Sequence, residues 1–262
     1  MDRYAREVSS GKRGYHWEQI RLERLQKDVI GEKAIGDLRP SDFADWRDRR
    51  LRDVSGASVK REMNLLSAVL HHARREWGLI DKSPLTDVGR PKEPPARRRR
   101  PTKIEMEAMR LAAGGNYTRT TARAYAAFEF ACETAMRAGE IAGLRMENVS
   151  YSSAVAHLPE TKNGEARDVP LSPRAIEILQ AMPDQDLLFN VTSAQISALF
   201  AKVRNRAAIE GLTFHDSRRE GTTRLSKVFN PMELARITGH KDLRMLMVYY
   251  EESAEELAKR LR

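Results

Sequence analysis

The sequence predicts a mainly α protein with one small antiparallel β-sheet, divided into two domains. Three observations support this. Apolar residues recur at three- and four-residue steps along most of the 262 residues, the spacing of a buried helix face. Strand-like segments occur only around Lys162-Asn163-Gly164. Third, Val88–Thr102 (VGRPKEPPARRRRPT) contains four prolines and the run Arg97–Arg100, so it is neither a helix interior nor a central strand. The division places a helical domain at residues 1–90, a basic Pro/Arg-rich linker at 91–102 and a second domain, helical with the sheet, at 103–262. A chain of this length accommodates two domains of roughly 100–150 residues each.

In the first domain, Trp17, Ile20, Leu22, Leu25 and Val29 outline a helix. Ser41 is placed to cap a helix containing Phe43 and Trp46. Gly56–Gly78 reads as the longest helix, with Val59, Met63, Leu65, Leu66, Val69 and Leu70 on its apolar face and Gly78 as its stop. In the second domain, Thr102-Lys-Ile-Glu105 is a capping-box pattern opening a helix, and another helix covers Thr121–Met136. Ala154–Leu158 and Ala166–Leu171 read as short strands. Asn163-Gly164 between them is a hairpin signal, because a two-residue type I′ turn needs positive φ at both positions. Helices over Pro173–Met182, Ser193–Glu210, Phe214–Lys227, Pro231–Thr238, Leu243–Val248 and Ser253–Arg262 complete the domain.

Composition narrows the function. The 46 Lys and Arg against 37 Asp and Glu give a net charge of +9. Nearly all the surplus lies in residues 1–100, which hold 24 basic and 16 acidic side chains. Nucleic acid is the first partner that such a basic half suggests. The four adjacent guanidiniums Arg97, Arg98, Arg99 and Arg100 either follow phosphates, releasing counterions, or stand in solvent as part of an extended linker. The single cysteine, Cys132, excludes an internal disulfide and a zinc site built on two thiolates, and suits a reducing cytoplasm. It lies on an apolar helix face and reads as a core residue. The longest apolar run, Ala124–Cys132, holds Glu129 and is far short of a membrane span. The charged N-terminus has no apolar signal-peptide region.

Phosphate-loop, dinucleotide, zinc-protease and serine-hydrolase motifs are missing from the sequence. His71 and His72 point about 100° apart on a helix, so they are poor joint metal ligands; no metal is expected. What remains is a scattered basic set: Arg137 in TAMRAGEIAGL, Lys162 on the hairpin, His215 and Arg218 in HDSR, and His240 after Gly239. Guanidinium forks match non-bridging phosphate oxygens and neutralise the charge of a pentavalent transition state. Histidine and lysine move protons. Tyr249 and Tyr250 are the candidate nucleophiles, each needing a base and cationic surroundings to attack at neutral pH. Physical reasoning on the sequence does not separate the two.

The motifs Arg137-Ala-Gly-Glu140, Thr161-Lys162-Asn-Gly164, His215-Asp-Ser-Arg218, Gly239-His240 and Tyr249, in this order, resemble those of the tyrosine recombinase (phage integrase) family. The first domain, ending in Trp77-Gly-Leu-Ile and Ser83-Pro, resembles that family's helical core-binding domain, so the likeness covers nearly the whole chain. It implies a helical core-type DNA-binding domain followed by an α+β tyrosine-recombinase catalytic domain. It further implies a site-specific recombinase that integrates or excises a phage or mobile element through a 3′-phosphotyrosyl intermediate. By the same resemblance, Arg137 and Arg218 bind the scissile phosphate and Lys162 protonates the leaving 5′-oxygen. His215 accepts the tyrosine proton, His240 contacts the phosphate or positions the nucleophile, and Glu140 supports the architecture. Tyr249, nine residues beyond His240, attacks. The chemistry needs no cofactor.

The implied partners are double-stranded DNA carrying core recombination sites, three further copies in a homotetramer, and accessory DNA-bending proteins, with no membrane. The implied place is the cytoplasm of a bacterial or phage-infected cell, at the nucleoid. Many integrases carry a further N-terminal domain for arm sites; here the core-binding helices begin almost at once. Leu257 and Leu261 in the tail offer an apolar pair for docking on a neighbouring subunit or on the chain's own domain. Two alternatives stand beside this reading. One is a non-catalytic regulator using Pro231–Val248 as a helix-turn-helix. The other keeps the chemistry in a resolvase, an invertase or a type IB topoisomerase.

Overall fold

The computed structural model describes residues 1–12, 14–92, 97–160, 165–250 and 254–259. The chain forms two compact units, Met1–Arg97 and Arg98–Arg262. The first is all helical: α1 (Asp2–Glu7), α2 (Tyr15–Gln26), α3 (Val29–Glu32), α4 (Pro40–Asp53) and α5 (Gly56–Arg75). All six apolar residues expected on α5 are buried. They serve two clusters, one with Leu25, Ile30, Phe43 and Trp46, the other with Tyr4 and Leu22. The expected apolar face of α2 is only half right. Leu22 and Leu25 are core, but Trp17, Ile20 and Val29 are 40%, 44% and 60% exposed. The Arg21 guanidinium lies 5.7 Å from the Trp17 ring and shields part of it.

Two helix ends differ from the sequence reading. α4 starts at Pro40, whose fixed φ suits the first helical position, so Ser41 lies inside the helix and is not its cap. Asp42 instead accepts the Arg39 main-chain N–H (2.9 Å). α5 stops at Arg75, and Gly78 (φ +61°) turns the chain three residues later, where the Leu79 N–H reaches the Ala73 carbonyl (3.0 Å). His72 packs edge-on against Tyr4 and Trp77 while His71 is exposed, the divergence expected of helix neighbours.

The second unit is built on α7 (Thr120–Thr134), preceded by α6 (Lys103–Ala113). The capping box expected for α6 is present: Thr102 accepts from the Glu105 N–H, and Glu105 from the Thr102 N–H. α8 (Ala138–Ala142) follows Arg137. The sheet has the order β1 (Val149–Ser150), β2 (Val155–Leu158), β3 (Arg167–Pro170), antiparallel throughout. β1 was not apparent in the sequence; two residues give no period to detect. The last pair of the β2–β3 ladder is Leu158 with Arg167. The Lys162-Asn163-Gly164 turn lies outside the described residues. α9 (Pro173–Gln180), α10 (Ser193–Arg206), α11 (His215–Leu225), α12 (Pro231–Thr238) and α13 (Ala254–Lys259) complete the unit.

Leu243–Val248 is not the helix its apolar content suggests. It forms two 3-10 turns, Leu243–Met245 and Met247–Tyr249. Only Leu246 is buried there, while Met245 and Met247 are 61% and 67% exposed, so no helical face exists to be covered. The tail pair Leu257 and Leu261 has no described side chains. No helix among the described residues is long and apolar enough to cross a membrane.

Small residues let α10 and α11 approach α7 closely: Ala124, Ala126, Ala127 and Ala131 are all buried. Phe128 stacks on Phe200 of α10 (4.4 Å between centroids), with Phe214 edge-on to both. Cys132 is fully buried in this core, and burial pushes its thiol well above the usual value. The closest approach is at Gly221 of α11. A Cβ there would stand 2.6 Å from the Ala131 carbonyl oxygen and 2.8 Å from the Ala135 nitrogen. These are main-chain atoms of the α7 terminus and cannot swing aside. Gly221→Ala is therefore expected to destabilise the protein by about 1–3 kcal/mol, the usual cost of overpacking. A denaturant midpoint equal to that of the parent protein would contradict this.

Candidate active site

α7 ends in a left-handed residue, Ala135 (φ +54°), a position usually given to glycine and strained for alanine by about 1 kcal/mol. The turn aims the Ala135 carbonyl at α11. There Arg218, one turn before Gly221, donates from Nη1 to it (2.6 Å) and from Nη2 to the Thr238 carbonyl at the end of α12 (2.7 Å). Arg218 is buried. Burial and the neighbouring Arg137 lower its pKa to about 10, so the guanidinium stays charged at neutral pH.

Glu140 is the second anchor. Sitting on α8 just after Arg137, it accepts from the Arg137 main-chain N–H (2.8 Å) and from Arg137 Nη1 (3.0 Å). It also takes both arms of Arg167 on β3: Nη1 to Oε1 (2.9 Å) and Nη2 to Oε2 (2.7 Å). Burial alone would push the Glu140 carboxyl up, but Arg167 and the Arg137 N–H outweigh it, and its pKa lies below the ordinary carboxylate value. Arg167 in turn donates from Nε to the Ile237 carbonyl (2.9 Å). It also runs beside Gly239, where a Cβ would come within 3.2 Å of Arg167 Nη1. With φ +69° as well, position 239 suits glycine on two counts.

Arg167 was missed in the sequence. The only signal was an arginine opening a predicted strand, which reads as a solvated edge until the α12 carbonyl and Glu140 are known to face it.

Gly239 turns the chain so that His240 faces Arg218. His240 Nε2 lies 3.5 Å from Arg218 Nη2, and Nδ1 lies 2.6 Å from Thr238 Oγ1. Burial, then the charges of Arg218, Arg137 and Arg167, push the imidazole down to about 4, so it is neutral at pH 7. Beside it an open cleft of about 740 Å³ is lined by Arg167, Met232, Arg236, His240 and Lys241.

The two tyrosines differ. Tyr249 ends the second 3-10 turn, with the Arg219 guanidinium 5.6 Å from its ring centroid, and lies near enough to Arg218 that a phenolate there would favour the charged guanidinium. Tyr250 donates its hydroxyl to the Phe229 carbonyl (2.7 Å).

Arg137, Glu140, Arg218 and His240 are thus brought into one electrostatic neighbourhood, joined by Arg167, with Tyr249 near Arg218. His215 opens α11, exposed, one turn before Arg218. Asp216, buried behind it, accepts from the Thr213 N–H and hydroxyl (2.7 and 2.9 Å) and fixes the start of the helix. Lys162 lies outside the described residues. The arginine run is not a uniform patch: Arg99 pairs with Glu105, and Arg100 donates from Nε to Glu220 (2.7 Å), a carboxylate also held by Arg224. These two guanidiniums have carboxylate partners within the second unit, and Arg98 is exposed.

A profile of the phage integrase family matches residues 104–256. The chain belongs to the phage integrase family. It is accordingly a tyrosine-type site-specific recombinase.

Relatives agree across the whole chain. A putative integrase/recombinase of Haemophilus influenzae is 39% identical over 270 residues, covering 100% of this chain and 88% of the relative. The shufflon-specific DNA recombinase of Escherichia coli is 36% identical over 273 residues, covering 100% and 70%. Among solved structures, a lambda integrase (75–356) dimer bound to a COC′ core site superposes with TM-score 0.80 at 18% identity, over 97% of this chain and 94% of that one. The Tn1549 transposon integrase in complex with circular intermediate DNA gives 0.76 at 19%, over 99% and 96%. At such identities these two likenesses concern the fold. Arg137, Glu140, His215, Arg218, His240 and Tyr249 all fall inside the span matched by the integrase family.

Proposed function

We propose that this recombinase breaks and rejoins duplex DNA at specific core sites through a 3′-phosphotyrosyl intermediate, moving an integrative element into or out of a larger DNA. The observation that carries the reading is the Arg218 guanidinium, seated on the carbonyls of Ala135 and Thr238 with Arg137, Tyr249 and neutral His240 around it. Of its five N–H donors two serve those carbonyls and one faces His240. The other two have no hydrogen-bond partner among the described residues and are available to non-bridging phosphate oxygens, with Arg137 beside them.

The Tyr249 hydroxyl attacks phosphorus, giving its proton to His215. The bond to the 5′-oxygen breaks, and that oxygen takes a proton from Lys162. The new phosphotyrosyl ester conserves the energy of the broken phosphodiester, and attack by a second 5′-hydroxyl reverses the step. Among solved structures of this fold, one is a lambda integrase tetramer bound to a Holliday junction. A tetramer exchanging strands in pairs is the assembly we propose here.

A nicked suicide substrate carrying the site tests the chemistry, since loss of the leaving strand traps the covalent complex. A stable adduct at the site is expected. Site binding without an adduct would leave the chain a non-catalytic regulator. The similarity to a shufflon-specific recombinase favours DNA inversion as a second reading. Plasmids carrying two sites in direct or inverted orientation separate excision from inversion, and relaxation without strand exchange would indicate a topoisomerase.

A further inference from the structure

We propose that Thr238 is a positioning residue whose hydroxyl fixes His240 as the Nδ1-protonated tautomer, turning the Nε2 lone pair toward Arg218. The effect on cleavage rests on the recombinase reading above; the tautomer does not.

The argument is a count of protons. Thr238 Oγ1 is fully buried and has two close neighbours, the Leu234 carbonyl oxygen at 2.6 Å and His240 Nδ1 at 2.6 Å. A hydroxyl has one proton. The carbonyl can only accept, so the proton must go to Leu234; otherwise two oxygen lone pairs would face each other at 2.6 Å. The contact with Nδ1 is then a hydrogen bond only if the imidazole donates. A neutral ring protonated at Nδ1 carries no proton at Nε2. That nitrogen meets Arg218 Nη2 at 3.5 Å, a donor facing an acceptor. The opposite tautomer would set two N–H groups against each other.

Thr238 holds the other side of the pair as well, since its carbonyl accepts from Arg218 Nη2. One residue therefore seats the guanidinium through its main chain and orients the imidazole through its side chain. The lowered pKa of His240 agrees with a ring that stays neutral in the field of Arg218, Arg137 and Arg167. It follows that His240 presents Nε2 as an acceptor. It can donate to a phosphate oxygen from Nε2 only after gaining a proton there.

The experiment uses the full chain labelled with 15N-histidine, free of DNA at pH 7. The spectrum of His240→Gln identifies the signal among the six histidines. The parent protein should show His240 protonated at Nδ1 and bare at Nε2; protonation at Nε2 overturns the proposal without any need of a Thr238 variant. Thr238→Ser should keep the tautomer and most of the cleavage rate. Thr238→Val, equal in shape but lacking the hydroxyl, should lose the preference. It should slow single-turnover cleavage of the suicide substrate by about tenfold to a hundredfold, as misplaced active-site groups do, at unchanged DNA affinity. Retention of the Nδ1 proton in the valine variant, or its loss with no change in cleavage, would also overturn the role. If the recombinase reading itself were wrong, the parent protein would form no adduct, and the spectrum would still decide the tautomer.

Discussion

Tyr249→Phe is expected to abolish the covalent protein–DNA adduct while leaving the fold and site binding intact. The substitution removes one oxygen and little volume, from a half-exposed residue at the end of a 3-10 turn. The neighbouring tyrosine is no substitute. Tyr249 closes the 3-10 turn, while Tyr250 lies just beyond it with a non-helical backbone (φ -120°). The Tyr250 hydroxyl is also spent on the Phe229 carbonyl, and burial raises its pKa. Tyr250→Phe should therefore cost about 1 kcal/mol of stability, the worth of one hydrogen bond, and still form the adduct. Denaturing gels of the suicide reaction read both outcomes. An adduct from Tyr249→Phe but not from Tyr250→Phe would move the nucleophile by one residue and keep the mechanism. Adducts from both would remove the mechanism.

The second large effect is at Arg218. Arg218→Ala should slow cleavage by at least about a hundredfold, the usual cost of deleting one preorganised donor to the transition state, with a much smaller change in DNA affinity. Lysine should restore little, because one ammonium cannot hold two carbonyls and still present a fork to phosphate. Stability should move less than the lost contacts suggest. The Ala135 and Thr238 carbonyls lose their donor, but the protein no longer buries a charge that disfavours its own site. Single-turnover cleavage compared with binding at fixed salt gives the split. Near-normal cleavage by Arg218→Ala would remove that guanidinium from the site.

Much of this architecture is written locally, and those parts were legible. The α6 capping box lies within four residues, α12 matches its expected limits Pro231–Thr238, and the apolar face of α5 repeats often enough to be unambiguous. Motif order proposed Arg137, Glu140, Arg218, His240 and Tyr249 as one site, and the fold brings Arg137, Glu140, Arg218 and His240 close together.

What failed was set by tertiary partners. Trp17 and Ile20 have the right spacing for a core but stay 40% and 44% exposed, outside the apolar clusters. Leu243–Val248 is apolar without a face, so two tight turns form there instead of a helix. The carboxylate partners of Arg99 and Arg100, Glu105 and Glu220, were not visible in the sequence either. Arg167 and Thr238 matter through contacts with residues dozens of positions away, or through a hydroxyl whose direction only its neighbours decide.

Both arginines at the centre of the site take their bearings from main-chain oxygens: Arg218 from Ala135 and Thr238, Arg167 from Ile237. A carbonyl is supplied by any amino acid, so natural variation at 135 and 237 is answerable to volume and backbone shape and not to hydrogen-bonding chemistry. Side chains at those positions can be exchanged without disturbing the two guanidiniums, provided the turn at 135 and the last turn of α12 persist. The proposed site is thereby insulated from much of the drift in its surroundings, and its arginines can persist while the rest of the chain diverges around them.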